Sequence, residues 1–203
     1  SVDEFVAYVN RTNLSIRSRI KQSIFETNSF LINKEPTLIE YATFFGSIQI
    51  IIYLVYNNVS LTSSLWLYAI HSGNGEIIHI LEERHVVPND STYFEVFIES
   101  IKCHQNDIAR YIKENYIDLN YNEDYIYEKV IPIALEYHNY SFLHTDLFSD
   151  SFLFYMIKFG YMYENHLNEI TKDIKFLSKL AICSKEVKYV LNASSIVSLL
   201  MLF

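Results

Sequence analysis

The 203-residue sequence predicts an all-α protein, a helical repeat solenoid of stacked helix pairs, and three observations carry that expectation. Only 4 glycines and 3 prolines occur, too few turn residues for a sandwich or barrel of many short strands. Hydrophobic residues make up 50% of the chain and charged ones 20%, which provides for a packed core and excludes a low-complexity or disordered chain. From Thr37 onward, apolar residues recur at helical spacing in short bursts separated by polar turns such as Asn57-Asn58 and Asn89-Asp90.

Residues 1–35 come first and lack the landmarks of the later bursts. Their apolar set Phe5, Val6, Val9, Leu14, Ile16, Ile20 and Ile24, mixed with Arg11, Arg17, Arg19 and Lys21, predicts one or two helices capping the open end of a stack. The next bursts repeat one another. Ala42, Gly46 and Leu54 recur as Ala69, Gly73 and Leu81, a period of 27 residues at all three anchors. A third copy comes at a spacing of 31, placing Ser100 on Ala69, His104 on Gly73 and Ile112 on Leu81. A weaker fourth has Ala134, His138, Phe142 and Leu143 at equivalent places. The repeats run over about 36–61, 62–88, 89–119 and 124–147, and 148–203 is expected to be a degenerate repeat or C-terminal cap.

Each copy reads as a short amphipathic helix ending near the glycine or histidine, then a second helix. In the first copy Leu38, Ile39, Ala42 and Phe45 are expected to line one face, and Ile48, Ile51, Ile52 and Val55 the next. Such pairs bury their apolar sides only when stacked. The small residue at 42, 69, 100 and 134 suits a close helix approach. Gly46 and Gly73 suit a chain leaving a helix with positive φ, a geometry that His104 and His138 would adopt at somewhat greater cost. Trp66, Tyr68, Phe142 and Tyr53 read as core filling.

The run from Ala42 to Leu54, with its alanine, glycine, isoleucine and leucine, resembles the ankyrin consensus, and Asn57-Asn58-Val59 stands where that consensus has an Asn-Gly-Ala turn. The Thr-Pro-Leu-His opening of that family is missing, replaced by Leu38-Ile39-Glu40 and Leu65-Trp66-Leu67, so the first turn of each repeat must be fixed differently. The stretches 44–50, 64–71 and 99–108 also resemble a divergent ankyrin-like family expanded in trichomonad protists, over about residues 1–145. That resemblance implies an ankyrin-like solenoid and an interaction protein, and carries over no catalytic residues.

Charge and cysteine content narrow the function classes. The net charge of −8 sits in residues 61–128, and no positive face of the kind that tracks phosphates is visible, so nucleic-acid binding is not expected. Asp107, early in a second helix, reads as a dipole partner, whereas Glu82, Glu83 and Glu95 read as exposed, the place where a basic partner would approach. The apolar run Val190–Phe203 is shorter than the roughly 20 residues that span a bilayer, so no membrane segment is expected. Two cysteines, Cys103 and Cys183, read as free thiols of a reducing, cytoplasmic compartment.

No phosphate loop, dinucleotide fingerprint, zinc-protease helix or nucleophile elbow can be written, and the seven histidines show no metal-ligand spacing. Cys103-His104 is the one adjacent pair that suggests a nucleophile and base, yet helix neighbours point about 100° apart. The expectation is therefore a non-enzymatic monomer with no cofactor and no metal. It would bind a protein partner through the first-helix ends, at Phe44, Phe45, His71, Ser72, Lys102, Cys103, Glu136 and Tyr137. In ankyrin stacks these ends face the concave groove, and here their side chains vary while the packing positions do not. The alternative is a structural spacer arm of a longer repeat protein.

Overall fold

The computed structural model describes residues 1–117 and 120–142; the expected cap over 148–203, Leu143, Cys183 and the run Val190–Phe203 lie outside them. The described residues are all-α, with eight α-helices and no strand. They are α1 (Val2–Thr12), α2 (Leu38–Phe44), α3 (Ile48–Tyr56), α4 (Leu65–Ser72), α5 (Gly75–Glu83), α6 (Phe94–Lys102), α7 (Asn106–Ile112) and α8 (Glu123–Glu136). Two compact units divide at Tyr121 and Asn122.

In the first unit α2 packs on α3 and α4, α4 on α5 and α6, and α6 on α7. One backbone device ends nearly every helix. A residue in the left-handed region comes after the last turn, and the next amide donates back across it to a carbonyl five residues earlier. Asn13, Gly46, Asn58, His85 and His104 hold φ at 52°, 66°, 58°, 53° and 58° respectively. The return bonds are Leu14 N to Val9 O at 3.1 Å, Ser47 N to Ala42 O at 2.8 Å, and Val59 N to Leu54 O at 3.0 Å. Val86 N to Leu81 O and Gln105 N to Ser100 O, both 2.9 Å, complete the series. This is the Schellman geometry, which occupies helix carbonyls that the ladder leaves without a donor.

The corner after α4 differs in one atom. Gly73 holds φ 65°, but the Ser72 hydroxyl donates to Ala69 O at 2.7 Å and accepts from Asn74 N at 3.2 Å, standing in for the direct return bond. Successive corners also meet. A β-carbon on Gly46 would lie 3.9 Å from the Asn74 side chain, and one on Gly73 would lie 2.7 Å from the Gln105 amide. The expected left-handed corners at 46, 73 and 104 are therefore present, and Ala42, Ala69 and Ser100 are buried beneath them.

Side chains fix the helix starts. Thr37 and Glu40 form a capping box on α2: Glu40 N donates to Thr37 Oγ1 at 3.3 Å, and Thr37 N donates to Glu40 Oε2 at 2.7 Å. The other oxygen of the buried Glu40 accepts from Ser64 Oγ at 2.6 Å, tying the start of α4 to the start of α2. Asp90 caps α6 by accepting from Tyr93 N and Glu95 N at 3.1 and 2.8 Å.

Several packing expectations need correction. Phe45 closes α2 rather than lining it and is 57% exposed, because Ile39, Ala42 and Thr43 take the inward face. On α3 the inward pair is Ile51 and Leu54, three apart, which turns Ile52 toward solvent. The N-terminal 35 residues form one helix, within the one or two expected. α1 contacts α3, with Phe5 edge-on to Tyr53 at 6.0 Å, whereas residues 13–35 double back irregularly on the start of α2. Ile20 N donates to Pro36 O at 2.7 Å and Leu38 N to Ser18 O at 3.1 Å, and Ile24 is left exposed. Glu82, expected to have no structural duty, accepts from the hydroxyls of Tyr111 and Tyr116 at 2.9 and 2.7 Å. Those contacts join the end of α5 to α7 and to the π-helical turn Lys113–Ile117 that extends it. Glu83 and Glu95 are exposed, and Asp107 pairs with Arg110 at 2.6 Å in the first turn of α7.

In the second unit α8 is capped by Asn122, whose Oδ1 accepts from Tyr125 N at 2.8 Å, and it carries Pro132 within its length. It ends on the same corner: His138 holds φ 57° and Asn139 N donates to Ala134 O at 2.7 Å, after which the short 3-10 turn Tyr140–Phe142 packs on it.

Leu54 and Leu81 are fully buried, as expected of the repeat anchors, and Trp66 buries its indole while donating Nε1–H to Val86 O at 2.7 Å. Truncating either leucine to alanine should cost roughly 2 to 5 kcal/mol through lost burial and a residual cavity. Urea denaturation of each variant measures this, and a midpoint within error of the parent would show the register to be wrong.

Candidate functional site

The ends of α2, α4 and α6 bring Phe44, His71 and Cys103 into one cluster, although 27 and 32 residues separate them in sequence. The corners explain why. Each of these helices stops at an equivalent left-handed residue, so their last-turn side chains fall side by side.

His71 lies at the centre. Its Nε2 is 2.9 Å from Glu99 Oε1, and its ring nitrogens lie 3.5 and 3.7 Å from Cys103 Sγ. Glu99 and Cys103 sit four apart at the end of α6, on one helix face, so both reach the same histidine. Lys102 Nζ holds the other Glu99 oxygen at 3.1 Å. Phe44 stacks on His71 with centroids 5.6 Å apart, and Phe30 covers the ring more closely at 3.9 Å. Lys34 Nζ lies 3.2 Å from the centroid of Phe30. An Asx turn delivers Phe30: Asn28 Oδ1 accepts from Phe30 N at 2.9 Å, and the adjacent Leu31 is buried as an anchor.

His71 and Glu99 keep side-chain exposures of 16% and 18%, so the cluster is half-buried and its ion pairing is only partly screened. The hydrogen bond to His71 holds the Glu99 carboxyl below the usual carboxylate range, against the opposing effect of burial. Burial, then the Glu99 charge, pushes the Cys103 thiol up to about 12. Lys34 is lowered by desolvation. A thiol so protonated at neutral pH is a weak nucleophile, and its place at the C-terminal end of α6 sets the helix dipole against a thiolate. The chemistry open to the cluster is hydrogen bonding, aromatic contact and ligation of a cation.

The remaining expected site residues fall around this centre or apart from it. Phe45 lies next to Phe44, edge-on at 5.0 Å, and projects outward. Ser72 turns its hydroxyl into the α4 corner, which makes it a backbone prop rather than a contact residue. Glu136 and Tyr137 end α8 in the second unit, where both are exposed. His104, the sequence neighbour of Cys103, holds the left-handed corner and is exposed. Glu99, Phe30 and Lys34 were not singled out by sequence. Glu99 had a signal in its four-residue spacing from Cys103; Phe30 and Lys34, on an irregular segment, had none.

None of the helices among the described residues is long and apolar enough to cross a membrane. Protein-family models, curated proteins and solved structures give no match to the chain.

The raised thiol predicts slow chemistry at Cys103. In chelator-containing buffer at about pH 8, iodoacetamide should label Cys103 of the folded chain at least about tenfold more slowly than in denaturing urea. Labelling read at the Cys103 peptide by mass spectrometry tests this; a folded-state rate equal to the unfolded one would contradict the buried, protonated thiol.

Proposed function

We propose that the chain is a divergent ankyrin-like solenoid of stacked helix pairs and serves as a non-enzymatic module that binds a protein partner along the concave face made by the ends of α2, α4 and α6. The repeat reading is supported by the recurrence of one corner, with the small buried residue four positions before it, at 46, 73, 104 and 138. It is supported also by the closeness of successive corners, where a β-carbon on Gly46 would meet Asn74 and one on Gly73 would meet Gln105. The family resemblance of the three middle copies points the same way.

The observation that carries the binding reading is Phe45. A phenylalanine 57% exposed at a helix end adds little to the core, and it lies edge-on to Phe44, which stacks on His71, the hydrogen-bond partner of Glu99. An aromatic anchor beside partly desolvated charges is the composition of a binding hot spot. The protonated Cys103 thiol favours recognition over nucleophilic catalysis. Exposed Glu83 and Glu95 offer a separate approach surface for a basic partner.

A photo-crosslinking amino acid at position 45 should give a discrete protein adduct in cells, and the same amino acid at Tyr56, 83% exposed at the end of α3, should give none. Phe45→Ala should leave stability within about 0.5 kcal/mol while a partner so identified loses affinity. Equal adducts at both positions, or none, would contradict a docking face at these helix ends.

A further inference from the structure

We propose that His71, Glu99 and Cys103 form a binding site for a divalent cation of the zinc class. The inference goes beyond partner docking and does not depend on it. One ligand atom from each residue can be chosen so that all lie within 4.8 Å of one another. His71 Nε2 stands 3.7 Å from Cys103 Sγ and 2.9 Å from Glu99 Oε1. Tetrahedral zinc, with bonds of about 2.0–2.1 Å to nitrogen and 2.3 Å to sulfur, separates those two ligands by about 3.6 Å. The nitrogen–sulfur edge has the required length and the carboxylate oxygen stands a few tenths of an ångström too near the nitrogen; because Sγ lies 3.5 Å from Nδ1 and 3.7 Å from Nε2, the Cys103 side chain must also rotate to bring the sulfur to the side of the Nε2 lone pair.

The donor set selects the ion. Thiolate and imidazole favour zinc and its borderline-soft neighbours over magnesium or calcium, which take oxygen. The surroundings support ligation. Lys102 engages Glu99 Oε2 at 3.1 Å and so leaves Oε1 as the inward donor, while Phe30 and Phe44 fix the plane of the His71 ring. Two helix C-termini, of α4 and α6, converge here, and their dipoles favour positive charge.

On binding, the Cys103 S–H bond breaks, its proton passes to solvent and the sulfur lone pair goes to the metal. Thiolate and carboxylate together then balance the dication. The fourth tetrahedral position is left for water or for a donor atom of a bound molecule. The same three residues also mimic a thiol–imidazole–carboxylate triad, but the helix dipole that favours a cation opposes the free thiolate such a nucleophile needs.

The test uses the full chain carrying Cys183→Ser, so that Cys103 is the only thiol, stripped with chelator and then titrated with zinc chloride or cobalt chloride. Equilibrium dialysis should saturate at one zinc per chain, and cobalt should give a thiolate-to-metal charge-transfer band with the visible bands of a tetrahedral centre. Cys103→Ser should abolish the charge-transfer band, and His71→Ala and Glu99→Gln should each weaken binding by more than about tenfold, with circular dichroism confirming that each variant folds. X-ray absorption at the zinc edge reads the unmodified site independently of those variants: one sulfur at about 2.3 Å with nitrogen and oxygen neighbours is expected. No saturable binding, or bound zinc with only nitrogen and oxygen neighbours, would overturn the site.

Discussion

The left-handed corner is the constraint on which the rest of the structure depends. A helix that stops leaves its last carbonyls without amide donors, and burying those carbonyls between neighbours is costly unless something answers them. Here the answer is nearly always the same: a residue with positive φ and a return bond to a carbonyl five residues before the donor. Because α2 and α6 stop this way, and α4 stops at Gly73 with the Ser72 hydroxyl in place of the return bond, one helix end is set beside the next. Glycine adopts the geometry freely at Gly46 and Gly73. Histidine adopts it at His104 and His138 at a cost of about 1 kcal/mol or more each, which the hydrogen bonds and the burial of Ser100 and Ala134 offset.

That alignment creates the place where chemistry gathers. Phe44, His71 and Cys103 are ordinary helix-end residues taken singly; together, with Glu99 from the preceding turn and Phe30 from the N-terminal segment, they make a half-buried polar centre under an aromatic cover. Such a centre has a geometry that substitution of any one member disturbs. Phe45, edge-on to Phe44, and Lys102, paired with Glu99, stand at the same helix ends.

What was legible in the sequence is what the corners and the core impose locally. A glycine or histidine at a fixed offset from a small residue and from a leucine marks φ, close approach and burial within some dozen residues, and Gly46, Gly73, Leu54 and Leu81 stand as that pattern requires. What was not legible is long-range pairing of side chains. Glu82 looks like a surface acid until Tyr111 and Tyr116 are folded onto it. Ile20 and Ile24 look like helix faces, but the backbone bonds of Ile20 to Pro36 and of Leu38 to Ser18 tie that segment to the start of α2 instead. Phe30 reaches His71 through an Asx turn that no periodicity announces. Cys103 meets His71, 32 residues away in sequence, a pairing that no spacing announces.

If the corners align the helix ends, side chains across the ends of α4 and α6 must act as a unit. A double-mutant cycle with His71→Ala and Glu99→Gln, read by urea denaturation of the metal-free chain, tests that contact directly. The structure predicts a favourable coupling energy of about 0.5 to 3 kcal/mol. A coupling indistinguishable from zero, with both single variants folded, would contradict the juxtaposition of these helix ends and with it the cluster they build.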